Sequence, residues 1–144
     1  MITAWRLCRR PFADLSGEGA RRFGGRWNSP GRAMVYAADH PALAVLEVRV
    51  HLDLPAELLP ADYVLMRLAL PDPVETLPAL PVDPRAAGDA WLAEARAPVL
   101  RVPSVLVPAA SNLLLNPAHP AAASARIDAI DAFAFDPRLW LGAT

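Results

Sequence analysis

The sequence predicts a single α+β domain built from mixed or antiparallel sheet with a few helices, and we assign all of residues 1–144 to it. Alternating apolar stretches that indicate strands are scattered along the whole chain. Only two stretches carry clear helix start and stop signals, and they do not alternate regularly with strands as in a doubly wound parallel sheet. Sixteen prolines further limit the length of each element.

Composition indicates a globular protein, because 54% of the residues are hydrophobic and 20% are charged. No apolar run reaches about 18 residues, so we expect no membrane span. The first residues lack the basic-then-apolar layout of a signal peptide. The lone Cys8 cannot form an internal disulfide, which fits a reducing compartment. A cytoplasmic location is therefore expected.

The charges are distributed unevenly. All fourteen basic residues are arginines, so Schiff-base chemistry through a lysine is excluded. Residues 1–32 hold seven of these arginines against two acids, a net charge of +5 on a chain whose overall charge is −1. A basic end on a near-neutral protein suits a small anion better than a long nucleic acid. Alternatively, several of these arginines pair with acids from later in the chain.

The N-terminal part predicts a strand followed by a loop. Residues 3–7 alternate, which places Arg6 on the face opposite its apolar neighbours. Arg6 is therefore either a solvated strand residue or a phosphate ligand. Residues 11–22 predict a loop, which we expect Phe12 and Phe23 to anchor to the core.

A second strand over 33–37 is followed by the clearest helix, from Pro41 to about Leu52. Asp39 or His40 would cap this helix, and a proline in the first turn costs no hydrogen bond. Since its apolar residues lie on nearly all sides, the helix should be substantially buried.

The second half of the chain predicts four strands and one helix. The strands are expected over 63–70, 74–77, 99–102 and 126–135, and the helix over 83–95, with a polar-bracketed apolar run at 112–116 and a closing turn at 136–140.

Residues 24–29, Tyr36 and Glu47 form the strongest candidate site. Two glycines before Arg26 let the backbone adopt positive φ angles and approach a neighbour closely. A cation, a phenol and a carboxylate together suit an anionic, aromatic, sugar-bearing ligand. Tyr36 could instead be a core aromatic, and Glu47 could be paired with an arginine such as Arg26 or Arg49.

Other chemistries find no support in the residue pattern. Three histidines and one cysteine lack the spacing of a metal site, so no metal is predicted. There is no Walker loop and no dinucleotide-binding glycine motif. Ser29 and Ser104 lack the context of a nucleophile elbow, and Cys8 fits a small core residue better than a nucleophile.

A set of short motifs resembles the RES-domain family in content and in order. The resemblance extends from Trp5 to Arg138, essentially the whole chain. The matching motifs are Gly25-Arg26-Trp27-Asn28 with Tyr36, Ala44-x-x-Glu47, Val102-Pro103-Ser104, Asn112, and Asn116-Pro117-x-His119-Pro120. This resemblance implies a fold similar to the ADP-ribosyltransferase toxins of the diphtheria class.

The resemblance also implies a function, that of a bacterial toxin encoded beside an Xre-type helix-turn-helix antitoxin. Such a toxin would use NAD⁺ as its substrate, without a further cofactor, and would cleave the nicotinamide–ribose bond by hydrolysis or phosphorolysis. The alternative within the same family is transfer of ADP-ribose to a protein. A non-enzymatic or RNA-directed toxin is disfavoured, because the chain is near-neutral and lacks a histidine pair.

Carried onto this sequence, the family pattern implies that Arg26, Tyr36 and Glu47 are catalytic. It implies substrate binding by three further residues, namely Arg6, Ser104 and Asn112. The expected partners are the antitoxin and other copies of the chain, with DNA contacted only through the antitoxin. One feature departs from the wider transferase pattern, in which the catalytic glutamate usually lies on a strand, because the local sequence around Glu47 predicts a helix.

Overall fold

A computed structural model describes residues 1–142, so the last two residues of the predicted domain, Ala143 and Thr144, lie outside the described residues. It contains one seven-stranded sheet and three α-helices, which confirms the α+β class. The strands are β1 (Ile2–Arg9), β2 (Val35–Ala38), β3 (Tyr63–Leu70), β4 (Val74–Thr76), β5 (Val99–Pro103), β6 (Ser111–Leu115) and β7 (Arg126–Ala132). The helices are α1 (Glu18–Phe23), α2 (Pro41–Arg49) and α3 (Pro84–Glu94), and short 3-10 turns occur at Arg10–Phe12, Ala56–Leu58, Pro120–Ser124 and Pro137–Leu139.

The sheet has the strand order β4-β5-β6-β2-β1-β3-β7. Every neighbouring pair is antiparallel except β4 with β5, which is parallel. None of the described helices is long and apolar enough to cross a membrane.

The two predicted helices begin where their capping residues indicate. His40 caps α2, since its Nδ1 accepts the backbone N–H of Ala42 at 3.0 Å. Asp83 caps α3 by accepting the N–H of Ala86 at 3.1 Å. Each helix carries a proline in its first turn, where no intrahelical N–H is needed.

The predicted loop over 11–22 is wrong in its second half, where α1 forms. This helix is too short to show a hydrophobic period, and Gly17 at its N-cap supplies no side-chain hydrogen bond. Its exposed face is instead tied by an ion pair between Arg21 and Glu18. Phe12 packs against the core as predicted, but Phe23 does not, because its side chain is 74% exposed.

The predicted burial of α2 is also wrong. Its buried residues are Leu43 and Ala44, whereas Leu46 is 37% exposed and Val50, the residue at its C-cap, is 50% exposed. One face of the helix packs on the sheet and the opposite face meets solvent, so an apolar composition on all sides did not mean burial on all sides. Similarly, β7 ends at Ala132 instead of 135, and the chain then enters a cluster of edge-to-face aromatic rings centred on Phe135.

Strands β1 and β2 pair only briefly and then separate, which leaves a gap between two neighbouring strands of the sheet. Among the described residues they pair at one position, Trp5 with Ala38. By contrast, β1 pairs with β3 along its entire length. One face of the sheet carries the main core, and the other is covered by α2 and by a cluster around Trp27 and Trp91.

Candidate active site

A cavity of about 790 Å³ lies where β1 and β2 separate. This volume is within the range of about 300–1,000 Å³ typical of small-molecule sites. Its walls come from both strands, the end of α1, the loop after it, α2 and β6. Five of the six residues predicted for the site line it, namely Arg6, Arg26, Tyr36, Glu47 and Asn112.

Tyr36 uses its hydroxyl inside the protein. The hydroxyl donates to Oδ1 of Asn28 at 2.6 Å and accepts the backbone N–H of Trp27 at 2.9 Å. Burial raises the pKa of Tyr36 to about 12. The phenol therefore stays neutral and holds the loop in place, while the residue still lines the cavity.

Asn28 joins this loop to its surroundings; it lies within the predicted stretch 24–29, but no separate role was predicted for it. It is fully buried, and its amide donates to the carbonyl oxygens of Ala20 and Arg32 at 2.8 Å each. The available sequence signal was a polar residue directly after Trp27, which is itself buried. A buried amide of this kind must find several hydrogen-bond partners, so it fixes the local backbone.

Of the two glycines before Arg26, one adopts a positive φ angle and the other allows a close approach to a neighbour, as the sequence predicted. Gly24 adopts a φ of 72° at the end of α1, a conformation that favours glycine. A Cβ on Gly25 would stand 2.5 Å from the Tyr36 hydroxyl oxygen, so only glycine lets the loop approach the phenol.

Glu47 is held by a serine from a distant part of the chain. The Ser104 hydroxyl donates to Oε1 of Glu47 at 2.8 Å and accepts the backbone N–H groups of Leu106 and Val107 at 3.1 and 3.2 Å. Ser104 is 1% exposed and does not line the cavity, so the structure places it behind Glu47. Nothing local in the sequence links these residues, which are 57 positions apart.

Neither suggested arginine partner of Glu47 fills that role among the described residues. Arg49 stacks its guanidinium 4.0 Å from the ring centre of Trp140 and donates to the carbonyl of Leu139. Arg26 is exposed on the rim of the cavity.

Several arginines of the basic N-terminal part pair with acids. Arg9 pairs with Asp62 at 2.8 Å, while Arg21 and Arg22 both pair with Glu18. Arg26 makes no ion pair within residues 1–142. Arg26 therefore leaves its positive charge available at the cavity, whereas Arg10, which also has no ion pair within residues 1–142, leaves its charge outside the cavity.

Arg6 bridges the separated strands. Its Nη1 donates to the carbonyl oxygen of Tyr36 at 3.1 Å, which gives that carbonyl a partner where strand pairing has ended. Its Nε is buried and has no partner among the described atoms. Arg6 is thus partly buried, and it also lines the cavity.

The two ends of the cavity differ in chemistry. Asn112 stands opposite Ala38, the residue at which β1 and β2 join. Ala44 packs against Ala38, and Glu47 follows one helical turn later, so Glu47 and Asn112 lie at the closed end. Tyr36 and the loop carrying Gly25 lie toward the open end.

The fold is shared with a solved structure, and the sequence matches a known domain family. A chain of the Mycobacterium tuberculosis MbcT–MbcA toxin–antitoxin complex superposes with a TM-score of 0.76, covering 96% of this chain and 86% of that one at 23% identity. The RES domain matches residues 3–137, and the chain accordingly belongs to the RES-domain toxin family, which confirms the resemblance seen in its motifs.

Its relatives carry toxin names. A Pseudomonas putida protein called Toxin Res is 43% identical, with 94% of this chain and 98% of that protein covered. A Sphingobium protein called Prs ADP-ribosylating toxin is 42% identical, with 88% and 86% covered. A Toxin Res from Yersinia enterocolitica is 36% identical, with 92% and 95% covered.

Proposed function

We propose that this protein is a toxin that consumes NAD⁺ by cleaving the bond between nicotinamide and ribose. The observation that carries the proposal is the Glu47 carboxylate, fixed by the buried Ser104 in a cavity that also presents the guanidinium groups of Arg6 and Arg26. An anion-binding rim and a single positioned carboxylate are the parts that this reaction requires.

The reaction needs no general acid. When the C1′–N bond of NAD⁺ breaks, its electron pair passes to the nicotinamide ring, which leaves as a neutral molecule. The ribose then resembles an oxocarbenium ion, as in glycoside hydrolysis. The negative charge of Glu47 stabilises this cation electrostatically. Water or phosphate attacks C1′, and with water the products are nicotinamide, ADP-ribose and one proton.

The remaining residues would bind and orient the dinucleotide. Arg26 and the Arg6 guanidinium, which both line the cavity, would donate charge-assisted hydrogen bonds to the pyrophosphate. The Tyr36 ring would stack on nicotinamide or orient the ribose, because its hydroxyl is already bound to Asn28. Asn112 at the closed end would bind the reacting ribose or the amide. Ser104 would act by positioning Glu47.

The test is to incubate the purified, antitoxin-free protein with NAD⁺, with and without phosphate, and to identify the products by chromatography. We expect nicotinamide together with ADP-ribose or its 1″-phosphate, and at least a hundredfold slower release by Glu47→Gln. The control is Glu57→Gln, which changes an exposed glutamate that does not line the cavity. Undiminished nicotinamide release by a folded Glu47→Gln variant would contradict the mechanism.

A second candidate is transfer of ADP-ribose to a protein, which the name of the 42% identical Sphingobium relative supports. The same cavity would serve, with a protein side chain attacking C1′ in place of water. Labelled NAD⁺ added to a cell lysate distinguishes the two reactions. Label fixed on one protein supports transfer, whereas label recovered as free ADP-ribose supports hydrolysis.

We also propose an antitoxin partner of the Xre type that covers the cavity in the cytoplasm. The match to a chain of a toxin–antitoxin complex supports this proposal. Co-expression with the product of the neighbouring gene should give a complex without nicotinamide release. Size-exclusion chromatography with light scattering would then measure whether the toxin is present in multiples of two.

A further inference from the structure

Phe23 exposes an aromatic ring at the open end of the cavity. Its side chain is 74% exposed, yet the residue lines the cavity together with Gly24, Gly25 and Arg26. The other aromatic residues nearby behave differently, because Trp27 is buried and Phe12 packs on the core. A large aromatic ring left in water beside a cavity is available to stack on a ligand.

Three hydrogen bonds hold the backbone around Phe23. The N–H of Gly24 donates to the carbonyl of Ala20 at 2.8 Å, and Asn28 donates to the same carbonyl. The N–H of Gly31 donates to the carbonyl of Arg21 at 2.7 Å. The exposure of the ring therefore results from a defined backbone geometry and not from a frayed helix end.

The position of Phe23 relative to Glu47 indicates which part of a ligand it meets. Glu47 lies at the closed end with Asn112, whereas Phe23 adjoins the glycine loop (residues 24–29), which contacts Tyr36 at the open end. A dinucleotide whose reacting ribose faces Glu47 would pass its pyrophosphate beside Arg26. Its second nucleoside would then leave the cavity along Phe23.

We propose that Phe23 is a stacking platform for the purine base of the dinucleotide, an inference that rests on the proposed function. A purine offers a flat π face, and stacking on an aromatic side chain needs no hydrogen-bond partners. The solvent-facing ring of Phe23 and the guanidinium of Arg26, which has no ion pair within residues 1–142, together form a site for a purine nucleoside diphosphate.

The test measures ADP binding by calorimetry, because ADP contains the purine and the pyrophosphate but no bond to be cleaved. Phe23→Ala should weaken ADP binding roughly five- to 150-fold, the range measured for loss of one stacked base. Phe23→Trp should bind within about threefold of the wild type, since the ring is retained. Leu58→Ala is the matched control, because Leu58 is also a large exposed apolar residue but lies outside the cavity.

Nicotinamide mononucleotide, which lacks the purine half, separates stacking from a general disturbance. Because it contains the bond that the proposed reaction cleaves, its binding is compared between Glu47→Gln and the double variant Glu47→Gln, Phe23→Ala, and it should be the same in both. Equal weakening of both ligands, or unchanged ADP binding, would overturn the proposal. Unchanged ADP binding with loss of self-association would assign the ring to a protein interface and would overturn it as well.

Different results would contradict the purine platform and the glycosidic reaction. If the wild type binds ADP through Phe23 but releases no nicotinamide, the purine platform stands and the glycosidic reaction is wrong. If the wild type releases nicotinamide and Phe23→Ala leaves the KM for NAD⁺ unchanged, the reaction stands and the platform is wrong. The thermal midpoint of Phe23→Ala should equal that of the wild type, because an exposed ring contributes little to folding.

Discussion

The Ser104 hydroxyl has one proton, and its surroundings fix where that proton points. Two backbone N–H groups already donate to Oγ, so the proton is directed at Glu47. Ser104→Ala should lower kcat up to about a hundredfold with little change in KM, because the carboxylate loses its orientation and not its charge. Steady-state kinetics on NAD⁺ check this, with Ser124→Ala as the control, since the Ser124 hydroxyl bonds an exposed carbonyl elsewhere. A folded Ser104→Ala variant with normal kcat would refute the positioning role.

Tyr36 gives the protein a stability change at high pH. Since burial raises its folded-state pKa to about 12, above its usual value near 10, the neutral phenol stabilises the fold below pH 10. This contribution is lost as the pH rises through about 12. Tyr36→Phe should remove it and should cost about 1–3 kcal/mol at neutral pH, because two buried polar groups lose their partner.

Urea unfolding from pH 8 to pH 11 measures both effects of Tyr36→Phe. Tyr63→Phe is the matched control, since Tyr63 is the other tyrosine of the chain. If both variants keep the wild-type pH dependence, the Tyr36 phenol does not carry it.

At the level of elements, α3 is docked against the glycine loop through a close backbone contact. A Cβ on Gly88 would stand 1.8 Å from the carbonyl oxygen of Trp27, so no side chain fits there. The next residue, Asp89, accepts hydrogen bonds from both the backbone N–H and the hydroxyl of Ser29. Although burial opposes it, these hydrogen bonds lower the pKa of Asp89.

Gly88→Ala should therefore destabilise the fold by more than about 2 kcal/mol, despite the better helix propensity of alanine. The comparison variant is Gly19→Ala, also in a helix, where the nearest atom outside that helix is a side-chain ring carbon of Phe12 at 3.3 Å and not a backbone atom. Thermal unfolding of the two variants should show a large loss for the first and a small change for the second. Similar midpoints would mean that α3 shifts without cost.

The elements that the sequence predicted correctly are those with a local signal. Neighbouring residues alone predict the alternation of β3 and the caps of α2 and α3. The short α1 has no such signal, and the exposure of α2 depends on what packs against it. The hydrogen bond from Ser104 to Glu47 joins residues that only the folded sheet brings together, so the sequence could not predict it.

Over the whole molecule, ion pairing determines which arginines can act on a ligand. Arg10 and Arg26 are both exposed, both belong to the basic N-terminal part and neither has an ion pair within residues 1–142, but only Arg26 lines the cavity. The two substitutions Arg26→Ala and Arg10→Ala therefore change the net charge equally. They differ in whether the lost guanidinium could contact a ligand in the cavity. This pair separates a direct contact with phosphate from attraction by the overall field.

We expect Arg26→Ala to weaken ADP binding roughly ten- to 150-fold at low salt, the effect of losing a hydrogen bond to a charged group. Arg10→Ala should weaken it less than about threefold, because solvent and salt screen a charge outside the cavity. Calorimetry between about 0.05 and 0.5 M salt, where screening shortens the Debye length severalfold, should show a flatter salt dependence for Arg26→Ala than for Arg10→Ala. Equal effects of the two substitutions would mean that the basic N-terminal part attracts the ligand as a whole, and that Arg26 has no specific place in the site.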